Sequence, residues 1–220
     1  MNLEADLRAT GIVPVVALDR AEDALPLVDA LSAGGLACAE ITFRTAAAAA
    51  AIGAVCKHRP GVLVGAGTIL TIAQADAAIE AGASFLVAPG FNPVVVRHSL
   101  ARGIPIVPGV CTPSEIEQAL ALELTLLKFF PAGPIGGVPY IKALTGPYPM
   151  VRFVPTGGIT IGNVGEFLAV PQVVACGGTW LTRADMILAG DFAGVEALAR
   201  EAVKAVLEAR GGVAATKVVP

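Results

Sequence analysis

A chain of 220 residues suits one domain with a large core, and 55 % hydrophobic against 15 % charged residues points to strands buried on both faces, as in a parallel sheet covered by helices. A net charge of -3, with basic residues scattered along the chain, excludes a track for a phosphate backbone and hence nucleic-acid binding. The apolar runs at 46–56 and 85–96 fall short of the roughly 20 residues of a membrane span or are broken by Pro and Gly, and MNLEADLRAT lacks the basic start of a signal peptide, so a cytoplasmic chain away from the membrane is expected.

In chain order, a short helix over 1–10 precedes the first strand. Strands are predicted at 12–17, 37–42, 62–66, 85–88, 104–107, 124–129, 151–154 and 173–176. Helices are predicted at 21–33, 46–58, 72–81, 93–101, 114–122 and 161–168, with a final helix over 192–209. Thr71, Asn92 before Pro93, and Thr112 before Pro113 are helix-start signals. Gly34, Gly82 and Gly103 follow helices, where a left-handed cap is expected. Strands begin roughly every 20 to 27 residues, the length of a compact strand–helix unit. Eight such strands make an α/β chain with the count of a closed (β/α)8 TIM barrel. The alternative, an open doubly wound sheet, is disfavoured because the first strand–helix turn reads Ala17-Leu18-Asp19-Arg20, with no glycine-rich dinucleotide fingerprint. A single barrel domain is expected over 1–210, followed by a flexible tail at 211–220.

Barrel enzymes carry their working groups at the C-terminal ends of strands. Lys128 lies there, in Leu124-Thr-Leu-Leu-Lys-Phe-Phe-Pro131, sharing a strand face with Leu124, Leu126 and Phe130. Burial of an amine favours its neutral form, a nucleophile towards ketones; the alternative is an ammonium that reaches solvent at the strand end. Glu40 shares its face with Cys38 and Thr42, and Arg44 follows at the strand end. A carboxylate can shuttle protons and an arginine fork suits a substrate carboxylate. A structural Glu40–Arg44 or Glu40–Lys128 ion pair is the competing reading. Thr68 closes Val62-Leu-Val-Gly-Ala-Gly-Thr68, where glycines admit a ligand to the backbone and a hydroxyl can bond a carboxylate; no Gly-Lys-Ser/Thr follows, so this is not a P-loop. Pro89-Gly90 ends the fourth strand.

Two glycine pairs follow the last two strands, Gly157-Gly158 and Gly177-Gly178, the second trailed by Thr179. Barrels commonly bind phosphate after strands seven and eight, through exposed backbone N–H groups. Ordinary tight turns are the competing reading. His58 and His98 have no partner at ligand spacing, so no metal site is expected. Cys38, Cys56, Cys111 and Cys176 are far apart and read as reduced thiols: Cys38 and Cys176 in the core, Cys111 a bystander near the active face, with no histidine to activate it.

Taken together, Val64-Gly-Ala-Gly-Thr68, Lys128-Phe-Phe-Pro131, Pro155-Thr-Gly-Gly-Ile159 and Gly177-Gly-Thr-Trp-Leu181 resemble the 2-keto-3-deoxy-6-phosphogluconate (KDPG) aldolases, a family that includes 4-hydroxy-2-oxoglutarate aldolases. The resemblance runs from about Ile12 to Phe192. It implies a (β/α)8 barrel assembled as a homotrimer, with a small 2-keto acid as substrate and no cofactor. It further implies that Lys128 forms the Schiff base and that Glu40 is the general acid/base. Arg44 and Thr68 would hold the substrate carboxylate, Pro89 and Phe130 would line the keto-acid pocket, and Thr156 would stand beside them. Gly157, Gly158, Gly177, Gly178 and Thr179 would cradle phosphate, Thr179 standing where the family often has serine. Four alternatives stay open: preference for the galactose-series epimer, preference for an unphosphorylated keto acid, a metal-dependent aldolase, which would need carboxylate and histidine ligands, and a binding-only barrel. The intact Lys128 and Glu40 count against the last.

Overall fold

The computed structural model describes residues 2–211. Apart from Gly211, the tail expected at 211–220 lies outside the described residues. The chain alternates strands and helices: α1 (Leu3–Thr10), β1 (Ile12–Val16), α2 (Ala24–Ala33), β2 (Cys38–Thr42), α3 (Ala48–His58), β3 (Leu63–Gly67), α4 (Ile72–Glu80), β4 (Phe85–Val87) and α5 (Pro93–Ala101). It continues through β5 (Ile106–Val107), β6 (Gly109–Val110), α6 (Pro113–Leu120), β7 (Leu126–Phe129), α7 (Gly137–Thr145), β8 (Arg152–Pro155), α8 (Val164–Leu168), β9 (Cys176–Gly178), α9 (Ala184–Leu188) and α10 (Phe192–Ala209).

Every strand pairing is parallel. One run pairs in the order β5-β4-β3-β2-β1-β9, the other in the order β6-β7-β8. β5 and β6 flank Pro108 and act as one strand. The Pro108 carbonyl still accepts from Lys128 N–H at 2.9 Å, so the ladder crosses the interruption. The bridges Phe153↔Val173 and Thr156↔Gly177 join β8 to β9 and close the ring. The result is the eight-stranded barrel expected from the sequence.

Side-chain alternation divides the apolar residues into two cores. Ile41, Val64, Leu86, Leu127, Phe129 and Phe153 face outward and pack beneath the helices. Val13, Cys38, Phe85, Val87, Val107 and Val154 face into the barrel, where Leu3 and Leu7 of α1 join them. The fully buried β1 reads as a continuous apolar run for this reason, whereas the equally buried β2 is broken by Glu40 and Thr42.

Helix starts follow the local chemistry. Thr71 and Thr112 form capping boxes with Gln74 and Glu115, and the Asn92 side chain accepts from Val94 N–H ahead of Pro93. Gly82 and Gly103 have left-handed backbones at helix ends as expected, but Gly34 does not: its φ is -77°, and Gly35, at 96°, takes the left-handed position. Gly34 is small for another reason. A Cβ there would overlap Ala199 and the backbone of α10. The expected fifth strand at 104–107 is displaced to 106–110, because Ile104 N–H closes the helix end on the Ser99 carbonyl and Pro105 has no N–H to give. Strand β9 starts later than expected, Val173 making a single bridge. Helix α8 is shorter than the expected 161–168, because Asn163 bonds Thr160 N–H and the Gly158 carbonyl and holds the preceding segment as a loop. Helices α7 and α9 form outside the segments that the sequence pattern marks as helical. No helix among the described residues is long and apolar enough to cross a membrane.

Candidate active site

The inward face of β2 carries Glu40 and that of β7 carries Lys128, and the two meet across the barrel. Lys128 Nζ donates to Glu40 Oε1 at 3.2 Å, and their side chains are 7 % and 4 % exposed. Of the two structural pairings considered, Glu40–Lys128 forms; Glu40–Arg44 is not among the ion pairs of the described residues. The Lys128 side chain does not reach solvent as an unpaired ammonium would. Its Nζ also stands 5.6 Å from the centroid of the Phe130 ring, within cation–π range. A buried ion pair offsets its desolvation cost poorly compared with apolar packing, so its presence at the strand ends marks a functional group more than a stabilising one.

Room for this pair comes from glycine. A Cβ on Gly67 would overlap Glu40 Oε1, and one on Gly65 would overlap the Phe85 ring. The glycines of Gly65-Ala-Gly67 therefore make way for protein side chains, which corrects the expectation that they admit a ligand. Gly177 likewise leaves space for the Thr156 hydroxyl.

Above the pair opens a cavity of about 90 Å³ lined by Val15, Arg44, Thr68, Pro89, Lys128, Phe130, Thr156, Gly157, Gly158, Ile159, Gly177 and Thr179. Ten residues singled out from the sequence thus line one cavity. Glu40 lies beneath, reached through Lys128. Gly178 is the exception: it is buried off the cavity, and a Cβ there would strike the Trp180 ring. Val15 and Ile159 were missed. Val15 stands next to the end of β1 and Ile159 in the loop after β8, and apolar side chains there carry no chemical signal.

By strand order Arg44 and Thr68, after β2 and β3, stand across the barrel mouth from the glycine pairs of β8 and β9, which gives the cavity two ends. Arg44 and Thr68 occupy one. The Arg44 guanidinium is exposed and makes no ion pair among the described residues. Thr68 holds a φ of 59°, a left-handed conformation uncommon for a residue with a β-branched side chain. The other end is built from Gly157 and Gly158, with φ of 93° and 76°, together with Gly177 and the exposed Thr179. The first end suits a carboxylate, since it offers a guanidinium fork and a hydroxyl. The second offers backbone and hydroxyl contacts, as a phosphate site of a barrel does.

Cys38 lies in the barrel interior beside Glu40; burial, then the Glu40 charge, pushes its thiol up to about 12. Burial also raises the Cys176 thiol. Cys111 is raised by burial and by Glu115, as expected of a bystander. All four cysteines are free. Among the described residues no three His, Cys, Asp or Glu side chains cluster closely enough to hold a metal ion. His98 Nε2 instead pairs with Asp76 at 2.9 Å on the outer helices.

Comparison with known proteins agrees with this geometry. The family model described as "Aldolase: KDPG and KHG aldolase" matches residues 3–198. A 2-dehydro-3-deoxy-phosphogluconate aldolase of Treponema pallidum is 50 % identical over 200 residues, covering 91 % of this chain and 95 % of its own. The crystal structure of a KDPG aldolase from Legionella pneumophila, with pyruvate captured at low pH as a covalent carbinolamine intermediate, superposes with a TM-score of 0.87 at 36 % identity, covering 90 % and 96 % of the two chains. That of the Zymomonas mobilis ZM4 enzyme, with 3-phosphoglycerate, gives a TM-score of 0.85 at 38 % identity, covering 91 % and 94 %. A family match over residues 3–198 and 50 % identity to a relative over 91 % of the chain, on a barrel with a buried lysine–glutamate pair beneath a cavity, place this chain in the KDPG and KHG aldolase family of lyases.

Proposed function

We propose that this chain cleaves 2-keto-3-deoxy-6-phosphogluconate to pyruvate and glyceraldehyde 3-phosphate through an imine on Lys128, without a metal or organic cofactor. The observation that carries this reading is the 3.2 Å contact between buried Lys128 and Glu40 under a cavity with a cationic end and a glycine-rich end. Arg44 and Thr68 fix the substrate carboxylate, with Pro89 and Phe130 beside the keto group and Thr156 facing them. Glu40 takes a proton from the Lys128 ammonium, and the amine attacks the C2 carbonyl to give a carbinolamine. Glu40 returns the proton, water leaves and the imine forms. Glu40 then accepts the C4 hydroxyl proton, directly or through a water, the C3–C4 bond breaks, and its electron pair moves into the protonated imine to give an enamine. Protonation at C3 and hydrolysis release pyruvate and free Lys128. Gly157, Gly158, Gly177 and Thr179 hold the phosphate; Gly178 shapes that loop from behind.

A second substrate, 4-hydroxy-2-oxoglutarate, is supported by Thr179, whose extra methyl relative to serine crowds the phosphate end and so costs the phosphorylated substrate more than the shorter one. Residues 1–210 form the catalytic unit in this reading, and the working assembly is a cytoplasmic homotrimer.

The decisive experiment is borohydride trapping with pyruvate, followed by peptide mapping. A pyruvyl adduct on Lys128 is expected. Lys128→Ala, which leaves Glu40 buried without its partner, is expected to lose the adduct and all measurable turnover while remaining folded. An adduct elsewhere, or full activity in Lys128→Ala, sinks the scheme.

A further inference from the structure

Beneath the Lys128–Glu40 pair, on the side away from the substrate cavity, lies a second, smaller space with apolar walls. Its walls are Val13, Phe85, Val87, Val107 and Val154, its ceiling is the pair itself, and Leu7 of α1 is its floor. The free space is about 10 Å³, at the lower limit for a single water. Leu7 is 1 % exposed and sits on a helix outside the barrel proper, inserted among the inward-facing residues of five strands.

The arrangement has a consequence for the pair. Glu40 is hemmed by the Gly67 backbone on one side and Lys128 on the other, so its contact with Nζ is set by what surrounds it. Water admitted from below would solvate both groups and compete for the hydrogen bond between them, whose strength depends on the dry surroundings. An apolar wall gives such a water no other partner, so the space stays dry while it stays small. Truncating the floor removes that limit.

Resting on the reading of Lys128 and Glu40 as the catalytic pair, we propose that Leu7 is a positioning residue: α1 plugs the barrel from its N-terminal mouth and keeps the underside of the pair free of water. The role belongs to Leu7 and not to α1 in general. Leu3, on the same helix and in the same inner core, does not border the space under the pair.

The test compares Leu7→Ala with Leu3→Ala and Leu7→Met in the full-length protein, reading kcat and KM for aldol cleavage and the rate of borohydride trapping with pyruvate. Both alanine variants lose stability, as any buried leucine truncation does. Leu7→Ala alone is expected to lose about tenfold in kcat and in trapping rate, part of what general acid–base catalysis contributes, with KM held within about twofold. Leu7→Met, which refills the volume, recovers the rate. Equal kcat in Leu7→Ala and Leu3→Ala overturns the proposal, as does a kcat in Leu7→Ala that matches wild type. Should Leu7→Ala fail to fold, Leu7→Val is read in the same way, and an unchanged rate there overturns it equally. Wild-type protein that forms no pyruvate adduct on Lys128 refutes the imine reading itself, and the role of Leu7 falls with it; an adduct in wild type with no effect at Leu7 refutes the plug alone.

Discussion

Gly67 shows how closely chemistry and packing are joined at single residues. Its missing side chain is the space that the Glu40 carboxylate occupies. Gly67→Ala must therefore displace either the β3 backbone or Glu40. Overpacking of this kind costs about 1–3 kcal/mol, and displacement of Glu40 from Lys128 adds a loss of kcat of at least about tenfold, within the range that a misplaced acid–base group brings. Urea melts and steady-state rates on the same preparation check both; a stable, fully active Gly67→Ala would show that Glu40 does not need its observed position. The residues proposed to do the chemistry were legible in the sequence, since Lys128 and Glu40 are polar side chains of the right parity inside apolar runs. The reason for the glycines was not. Gly65 and Gly67 answer to Phe85 and Glu40, which stand on neighbouring strands, and such contacts exist only once the barrel has closed.

Elements were legible in proportion to how local their causes are. Helices α4, α5 and α6 begin at Thr71, Asn92 and Thr112, each a capping side chain visible in the sequence. Helix α7 was not, because its start lies in a Gly- and Pro-rich stretch that reads as loop; it is held by Ile141 and Leu144 buried against the barrel and by Tyr140 packed 5.8 Å from Phe129. Propensity lost there to tertiary packing. The capping box of α6 yields a pH prediction. The Glu115 carboxylate accepts from Cys111 N–H at 2.8 Å, Thr112 N–H at 2.8 Å and the Thr112 hydroxyl at 2.9 Å. Burial acts to raise its pKa, but these hydrogen bonds together prevail and hold it below the ordinary 4.5. A carboxyl depressed in the folded state contributes stability that is complete above its unfolded pKa and is lost as pH falls through the lower, folded value. Glu115→Gln should accordingly be less stable than wild type at neutral pH, and the gap should narrow as pH falls below about 4.5. Urea midpoints for the two proteins at several pH values give the answer, and a gap independent of pH would mean that the charge on Glu115 contributes nothing.

The barrel as a whole is not closed evenly: β8 and β9 meet only through isolated bridges, at the join beside the cavity. β2 and β3 share five register pairs, from Cys38↔Leu63 to Thr42↔Gly67, whereas β8 and β9 meet through Phe153↔Val173 and Thr156↔Gly177. The hydrogen bonds there run from Phe153 N–H to the Gln172 carbonyl at 2.8 Å and from Val174 N–H to the Phe153 carbonyl at 3.0 Å. The cause is the glycine content of both strand ends: Gly157 and Gly158 turn away after β8, and Gly177 and Gly178 make up most of β9, so neither edge offers a long ladder to the other. Local opening is favoured where few backbone pairs must break. In the free protein the amides of Phe153 and Val174 are therefore expected to exchange with solvent faster than Leu63 N–H, which donates to the Ala37 carbonyl at 2.9 Å on the β2–β3 side. The proposed phosphate site straddles this seam, with Gly157 and Gly158 on one bank and Gly177 and Thr179 on the other. A ligand that binds the closed form and not the opened one stabilises closure by mass action. Inorganic phosphate should slow exchange at Phe153 and Val174 and leave Leu63 unchanged. Slow exchange at the seam without ligand would show that the surrounding helices close the barrel regardless of the short ladder. Fast exchange that phosphate does not slow would place the phosphate contacts on one bank of the seam.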